Sequence, residues 1–434
     1  MHFIRNLMLL TLCLFSQFIF ANPTIEHWET DNGANVYFVA APDLPMVDIE
    51  VIFDAGSARD GNKQGLASLT NDLLNQGTSQ WSVDEIAETF DNLGAQYGNS
   101  VDRDMATVSL RSLSDPVLLE KALNTFAVLL AKPDFNSTAF EQKRQQMLAN
   151  LQYQAQSPSD IAEKAFYQSV FGTHPYASAV EGTLASINGL TQADVQTFHQ
   201  QYYVAKNATI AIVGALDRVS AESVAALAIH LLAEGEAVAT LPEVTELTEA
   251  KNITINYPAT QTTLLMGQSG MSRDDPDYFA LYLGNYVLGG SGLVSRLSEE
   301  VREKRGFAYS TYSYFLPLKM KGPFLLSLQT RNDQVKEALE LVQKILQDFI
   351  AQGVTDKELQ LAKQGITGGF PLKIKNNSSI LSYVAMIGFY RLPLDYLDTF
   401  NDKINAITAD MIKDTFNRRL HIDKFTTVKV GDTT

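Results

Sequence analysis

The sequence predicts an α+β protein of two similar domains, each with helices packed against a largely antiparallel sheet. One observation is an internal repeat in the 434-residue chain. Residues 187–191 (INGLT) match residues 404–408 (INAIT), and the strand-like residues 208–214 match residues 425–431, both at an offset of 217 residues. Two long copies indicate two domains rather than a solenoid, which needs about three or more short repeats.

Each copy also mixes strand and helix patterns. Residues 45–53 alternate apolar and polar side chains, the pattern of a half-buried strand. Residues 115–131 carry apolar side chains at helical spacing, and Thr191 and Thr408 each precede a helical run, as an N-cap residue does. Alternating strands mixed with amphipathic helices predict helices that cover antiparallel sheets.

The chain divides into four predicted segments. Residues 1–21 have a positive charge, an apolar stretch and a small residue at the end, the pattern of a cleaved signal peptide. Residues 22–235 and 251–434 are the two predicted domains. Residues 236–250, where apolar periodicity fades, are the predicted linker. An uncleaved membrane anchor is the alternative for the first segment.

The composition narrows the classes of function. Lys and Arg total 34 against 49 Asp and Glu, a formal net charge of −15. This charge argues against nucleic acid as a main partner, because phosphate binding needs a cationic face. The one cysteine, Cys13, lies inside the predicted signal peptide, so no disulfide framework is expected. A secreted chain without a thiol suits a bacterial periplasm, with no membrane span after signal cleavage.

Residues 65–78 (GLASLTNDLLNQGT) resemble the zinc helix of the M16 metallopeptidases, the family of pitrilysin and the mitochondrial processing peptidase. In that family the helix carries H-x-x-E-H, whose imidazoles bind Zn²⁺ and whose Glu is the general base. Ser68, Asn71 and Asp72 stand at these three positions. A serine hydroxyl cannot replace an imidazole and an amide cannot accept a proton from water, so the resemblance implies a degenerate zinc site.

The family's third zinc ligand is a Glu on a later helix, and it is also missing. Residues 144–151 (RQQMLANL) resemble that segment, with Ala149 and Asn150 where the family has paired glutamates. The degenerate positions, Asn150 included, are therefore predicted not to bind metal. No catalytic residue and no cofactor are expected in this chain.

The six histidines offer no substitute zinc site. No two of them lie three or four residues apart, the spacing that places two imidazoles on one helix face. His174 is expected to be a loop residue with a structural hydrogen bond. His230, on an apolar helical face, is expected to lie in the core.

The most informative segment is residues 288–309, a Gly-rich loop followed by a charged run and an aromatic-rich strand. The charged run predicts a helix that ends at Gly306, so that Arg302 in its last turns and Tyr309 on the next strand converge. Their N–H and O–H groups suit a carbonyl on which negative charge develops. The segment closely resembles the one that carries the Arg–Tyr pair of M16 C-terminal domains. The resemblance implies that Arg302 and Tyr309 bind substrate.

Family members work as clamshells, in which one half brings zinc and the other half brings the Arg–Tyr pair. The resemblance therefore implies that this chain forms one half of such a clamshell. It would be a non-catalytic subunit, inactive alone, of a periplasmic zinc peptidase whose H-x-x-E-H subunit, in a heterodimer, binds the zinc. The peptide substrate would add as a strand to a sheet edge, assigned to residues 94–100. Arg296 and Arg305 are expected to be structural or surface charges.

Two other interpretations stay open from the sequence. The chain could be a degenerate M16-fold protein that has a structural or interaction role and no role in proteolysis. It could also be a self-sufficient enzyme with an unrecognised site, a reading that about one bound zinc per purified chain would favour.

Overall fold

The computed structural model describes residues 23–432, and the predicted signal peptide with Cys13 lies outside the described residues. The described chain forms two sheets covered by helices, which confirms the predicted α+β class. Residues 233–247, which lead from the first half into the second, contain no helix or strand. No helix between residues 23 and 432 is long and apolar enough to cross a bilayer.

The first sheet contains six strands: β1 (Glu26–Glu29), β2 (Asn35–Ala40), β3 (Met46–Phe53), β4 (Gln96–Val101), β5 (Ala106–Leu113) and β6 (Ala208–Gly214). Their order is β1-β2-β6-β3-β5-β4. Neighbouring strands are antiparallel except for the parallel pair β2 and β6.

The second sheet contains five strands: β7 (Lys251–Asn256), β8 (Gln261–Ser269), β9 (Thr311–Phe315), β10 (Pro323–Arg331) and β11 (Thr426–Gly431). Their order is β7-β11-β8-β10-β9, with one parallel pair, β7 and β11. This order repeats β2-β6-β3-β5-β4 of the first sheet, strand for strand. The repeat seen in the sequence is therefore a repeat of topology, and both sheets are largely antiparallel as predicted.

The helices follow the same repeat. In the first half they are α1 (Leu66–Asp72), α2 (Val83–Asn92), α3 (Pro116–Ala131), α4 (Ser137–Gln154), α5 (Pro158–Phe171), α6 (Leu184–Gly189), α7 (Gln192–Tyr202) and α8 (Arg218–Ile229). In the second half they are α9 (Tyr278–Asn285), α10 (Val335–Gln352), α11 (Asp356–Lys373), α12 (Asn377–Phe389), α13 (Tyr396–Ala406) and α14 (Ala409–Arg419). The predicted N-caps are confirmed, because the side chains of Thr191 and Thr408 accept hydrogen bonds from the first turns of α7 and α14.

Each half lends one helix to the sheet of the other half. Helix α12 packs on the first sheet, where Val384 and Ile387 share a buried cluster with Ile52 of β3. Helix α5 packs on the second sheet, where Phe166 lies in a buried cluster with Val428 of β11. Each large side chain buried in this way contributes about 1.5–3 kcal/mol. The exchange covers the second face of both sheets, so β3, predicted to be half-buried, has both faces covered.

A buried carboxylate joins the two halves at their seam. Asp104, at the turn before β5, accepts hydrogen bonds from the hydroxyl of Tyr176 at 2.6 Å and from that of Tyr390 at 3.1 Å. It also accepts the backbone N–H of Lys319 at 2.7 Å. The Lys319 ammonium forms an ion pair with Asp54 of the first half. These contacts, with the exchanged helices, fix the two sheets relative to each other.

Candidate functional site

Helix α1, the counterpart of the zinc helix, is anchored at its start by the buried carboxylate of Asp60. The two carboxylate oxygens accept the backbone N–H groups of Gly65 and Ala67, each at 2.7 Å. Burial raises the pKa of Asp60 to about 7, against the lowering effect of these hydrogen bonds. Gly65 has φ +87°, and a Cβ there would lie 2.5 Å from Ile187 Cδ1. A glycine is therefore needed for the chain to enter α1.

The first two degenerate positions on α1 carry structural hydrogen bonds. The Ser68 hydroxyl donates to the backbone carbonyl of Val180 at 2.8 Å. Asn71 is only 1 % exposed, and its amide donates to the Tyr203 hydroxyl at 3.1 Å. The Asn99 amide of β4 donates to both the side-chain and backbone oxygens of Asn71, at 2.8 and 2.9 Å. The position of the family's general base therefore holds an amide with partners on both sides.

The third position, Asp72, is a half-buried carboxylate. Burial raises its pKa, and the ammonium of Lys143 on α4 acts in the opposite direction. Close by, the Tyr97 hydroxyl is buried and makes no hydrogen bond within residues 23–432. Burial, with the charge of Asp72, raises the pKa of Tyr97, so its phenol stays protonated at neutral pH.

These residues do not fit a zinc ion. Asn150, at the position of the third ligand, lies exposed on α4, and its side chain makes no hydrogen bond with another described residue. Across residues 23–432, no three His, Cys, Asp or Glu side chains lie close enough together to hold a metal ion. Ser68 and Asn71 engage their polar groups in the protein's own hydrogen bonds, and imidazole or thiolate donors do not stand at these positions.

The structure brings the second candidate pair, Arg302 and Tyr309, together. The guanidinium carbon of Arg302 lies 5.3 Å from the ring centroid of Tyr309, within cation–π range. Tyr309 is 86 % exposed. Within residues 23–432, Arg302 has one weak ion pair, with the neighbouring Glu303 at 3.4 Å. Both polar groups thus remain available to a third molecule.

Three details of this segment differ from the sequence prediction. The charged run forms a short helix with π-type turns, Ser298–Glu303, rather than a regular α-helix. Tyr309 lies in the loop two residues before β9, not on the strand itself. The helix ends at Glu303 rather than at Gly306, which at φ +64° lies in the following turn and donates its N–H to the carbonyl of Arg302 at 2.9 Å. The wider π turn is a feature often found at functional sites.

The neighbouring arginines are structural, as expected. Arg296 makes a bidentate contact with Glu358 at the start of α11, with distances of 2.5 and 2.7 Å. Arg305 pairs with Glu300 one turn back at 2.7 Å. Only Arg302 of the three has no carboxylate at hydrogen-bond distance within the described residues.

The two sheets end in equivalent edge strands. β4 is the last strand of the first sheet, so residues 94–100 overlap a true edge. β9 is the last strand of the second sheet and begins two residues after Tyr309. The sequence prediction named only the first edge, although the repeat implies the second.

The histidines give one confirmed expectation and one error. His174 accepts the backbone N–H of Tyr176 at 3.1 Å and contacts the carbonyl of Pro242 at 2.9 Å, a structural role. His230 is exposed at the end of α8 rather than in the core. The apolar face of α8 is real, but His230 caps its last turn through the Leu227 carbonyl at 2.8 Å.

Sequence reasoning missed the polar network around Asn71. Asn99, which donates to Asn71, lies two residues from the buried Tyr97, so the two side chains share one face of β4. This alternation was the available signal. Tyr203, at the end of α7, gave none, because only the tertiary fold brings it to Asn71.

Two family models match successive parts of this chain. A family model described as insulinase (peptidase family M16) matches residues 35–184, and one described as peptidase M16 inactive domain matches residues 189–366. A crystal structure of a peptidase M16 inactive domain from Pseudomonas fluorescens has a TM-score of 0.92 at 41 % identity. The match covers 94 % of this chain and 98 % of that one.

Two bacterial relatives are less similar to this chain in sequence. The "non-peptidase homolog YmxG" of Helicobacter pylori is 26 % identical over 386 residues, 88 % of each chain. The "uncharacterized zinc protease YmxG" of Bacillus subtilis is 25 % identical over 390 residues, 89 % of this chain and 92 % of that one. The similarity therefore extends over nearly the whole described chain.

Proposed function

This chain belongs to the M16 peptidase family as an inactive homologue, and from this premise we propose that it is the Arg–Tyr subunit of a periplasmic, heteromeric zinc peptidase. A second subunit with an intact H-x-x-E-H helix supplies the zinc and the general base. This chain supplies substrate contacts to that site in trans. The pattern of residues 1–21 supports secretion.

The observation that supports the proposal most directly is that Arg302 and Tyr309 lack strong hydrogen-bond partners among the described residues. The two side chains lie side by side, the tyrosine is largely in solvent, and the fold gives neither polar group a strong partner among the described residues. Structural arginines in the same segment, such as Arg296, are instead paired with carboxylates. An arginine and a tyrosine that lie side by side without strong partners among the described residues fit a role toward another molecule.

The chemistry of the pair suits a peptide carbonyl. When a nucleophile attacks the carbonyl, negative charge develops on its oxygen, and nearby donors stabilise that charge. The Arg302 guanidinium offers N–H donors with a fixed positive charge, and the Tyr309 hydroxyl offers one O–H donor. Their proximity lets both reach one oxygen.

The surface beside the pair supports contact with a second protein. Leu293 and Val294 are 63 % and 80 % exposed in the Gly-rich loop that leads to the Arg302 helix. Exposed apolar residues next to a functional group are typical of protein interfaces. In the proposed complex they contact the H-x-x-E-H subunit, with the Arg–Tyr pair at the rim of the contact.

The test combines this chain with an H-x-x-E-H homologue from the same genome. We expect peptide cleavage that requires both chains and is lowered about tenfold to a thousandfold by Arg302→Ala or Tyr309→Phe. The matched controls are Arg305→Ala, from the same helix end, and Tyr153→Phe, an exposed tyrosine on α4. Both controls are expected to retain full cleavage.

Two outcomes would overturn the proposal. Hydrolysis of peptides by this chain alone, in a chelator-sensitive manner, would make it a self-sufficient enzyme. A stable complex whose cleavage rate is the same with Arg302→Ala and Tyr309→Phe would leave the chain a structural partner. Complex formation, measured separately by size-exclusion chromatography, distinguishes a lost contact from a lost partner.

A further inference from the structure

A cavity of about 620 Å³ lies along β9, the edge strand of the second sheet. Its wall is formed by α9, by the Gly-rich turn that follows α9, and by the strand itself. Tyrosines dominate the lining: Tyr278, Tyr282, Tyr286, Tyr312 and Tyr314. The volume lies within the range of small-ligand and side-chain pockets.

The charged residues that line this cavity are both cations. Arg273, after β8, and Lys373, at the end of α11, contribute positive charge, and the described lining contains no Asp or Glu. This is unexpected in a chain whose formal net charge is −15. The cavity therefore attracts negatively charged groups locally, although the protein as a whole is negatively charged.

Arg273 has no hydrogen-bond partner for its guanidinium among residues 23–432, and its Nε is buried. The guanidinium carbon lies 5.9 Å from the ring centroid of Tyr278 and 5.2 Å from that of Tyr390. Both rings lie within cation–π distance of the group, and its N–H donors have no partner among residues 23–432. Lys373, nearer to solvent, donates to the Tyr282 hydroxyl at 3.2 Å. A carboxylate would satisfy both cations.

The edge of β9 supplies the second half of a peptide site. Within the described chain, β9 pairs only with β10, so its outer edge has no strand partner, and of its residues Ser313 has its carbonyl bound by the Asn285 amide at 2.9 Å. Residues 312–315 of β9 line the cavity, and the strand begins two residues after Tyr309. An extended peptide that pairs with β9 would run from the Arg–Tyr pair to the cavity.

We propose that this chain binds an extended peptide along β9 and selects a peptide carboxylate through Arg273 and Lys373 in the tyrosine-lined cavity. The carboxylate is that of an Asp or Glu side chain or of the peptide C-terminus. The inference rests on the proposed function, because it names the substrate class of the same subunit. Peptide binding, however, can be measured on this chain without its partner.

The experiment measures dissociation constants by calorimetry for four peptides of one sequence. They carry Glu or Gln at one internal position, each with a free or an amidated C-terminus. We expect at least one carboxylate to strengthen binding about tenfold to a hundredfold over the Gln amide, as charge-assisted hydrogen bonds do. The Glu amide and the Gln acid distinguish a side-chain carboxylate from a terminal one. Equal binding of all four peptides, or no binding, overturns the inference.

The variants Arg273→Gln and Lys373→Gln should remove the preference for the carboxylate and leave the Gln amide peptide unaffected. Lys373 is exposed, so its variant is expected to fold, and Arg273→Lys retains the charge if Arg273→Gln is unstable. Lys375→Gln is the matched control, because Lys375 lies two residues away and does not line the cavity. An unchanged preference in both cavity variants overturns the inference. Carboxylate-selective binding without cleavage in trans would reject only the proposed function.

Discussion

The α1 segment of the first half and the Arg302–Tyr309 segment of the second half lie in corresponding connections of the repeat, the first between β3 and β4 and the second between β8 and β9. In the first, Asn71 and Ser68 are bound into the protein by hydrogen bonds to distant backbone and side chains. In the second, Arg302 and Tyr309 have almost no internal partner. In one connection the polar side chains form hydrogen bonds that stabilise the fold. In the other, the guanidinium of Arg302 and the hydroxyl of Tyr309 remain available to another molecule.

The pKa values of three carboxylates, two in the first half and one in the second, are shifted in opposite directions. In the first half burial raises the pKa of Glu50 to about 7, and that of Asp60 likewise. In the second half burial also acts to raise the pKa of Glu358, but the hydrogen bonds from Arg296 and Thr355 lower it to about 2. Desolvation therefore dominates at Glu50 and Asp60, and the hydrogen bonds from Arg296 and Thr355 dominate at Glu358.

The largest change in the free energy of unfolding is expected at Asn71, whose amide is part of the hydrogen-bonded first segment. Asn71→Leu leaves the buried Tyr203 hydroxyl without its partner and removes the side-chain acceptor of Asn99, which keeps only the Asn71 backbone carbonyl, so we expect a loss of about 2–4 kcal/mol in the free energy of unfolding. Urea unfolding measures it. The control is Asn150→Leu, an exposed amide at another degenerate position, with an expected change below about 0.5 kcal/mol. Equal effects of the two variants would contradict the assignment.

The two classes of carboxylate should give opposite pH dependences. The folded pKa of Glu358 lies below its unfolded value, so its contribution is present above about pH 4.5 and is lost as pH falls toward 2. We expect Glu358→Gln to lower stability by about 1–2 kcal/mol at neutral pH and by progressively less in acid. Denaturant titrations across this range measure the difference.

Glu50 should behave in the reverse manner. Its folded pKa is raised, so the cost of its burial beneath α12 is absent below about pH 4.5 and grows as pH rises through 7. Glu50→Gln is expected to raise stability by about 1–2 kcal/mol near pH 8 and to leave it unchanged near pH 4. A stabilisation that does not depend on pH would show that packing, not ionisation, is responsible.

The smallest effect is expected at the Arg–Tyr pair. Arg302→Ala removes a weak, partly exposed ion pair and one ring contact, so the unfolding free energy should change by at most about 0.5 kcal/mol. The same denaturant titration measures it beside Asn71→Leu. A loss as large as that of Asn71→Leu would mean that Arg302 is also structural, and the contrast between the two segments would fail.

Much of the fold could be predicted because its signals are local or repeated. The offset of 217 residues gave two related units, and period-2 and helical patterns gave their elements. The identity of Ser68, Asn71 and Asp72 was enough to reject an M16 zinc site, since ligand chemistry is a property of the side chain. The Arg302–Tyr309 contact could be predicted because the two residues lie seven positions apart in one segment, with a turn at Gly306 between them.

The sequence could not predict the packing partners of helices or of polar side chains, because these partners lie far apart in the chain. A helical pattern states which face of α5 or α12 is apolar but not which sheet covers it, and both helices cross to the other half. An alternating pattern does not reveal that Asn71 contacts Tyr203, or that the Arg273 guanidinium lies in a cavity beside β9 without a hydrogen-bond partner among residues 23–432. The sequence by itself determined the two-unit α+β architecture and the loss of the zinc ligands. Only the tertiary structure decided which polar groups are satisfied and which stay free, because burial and pairing are set by packing between distant segments.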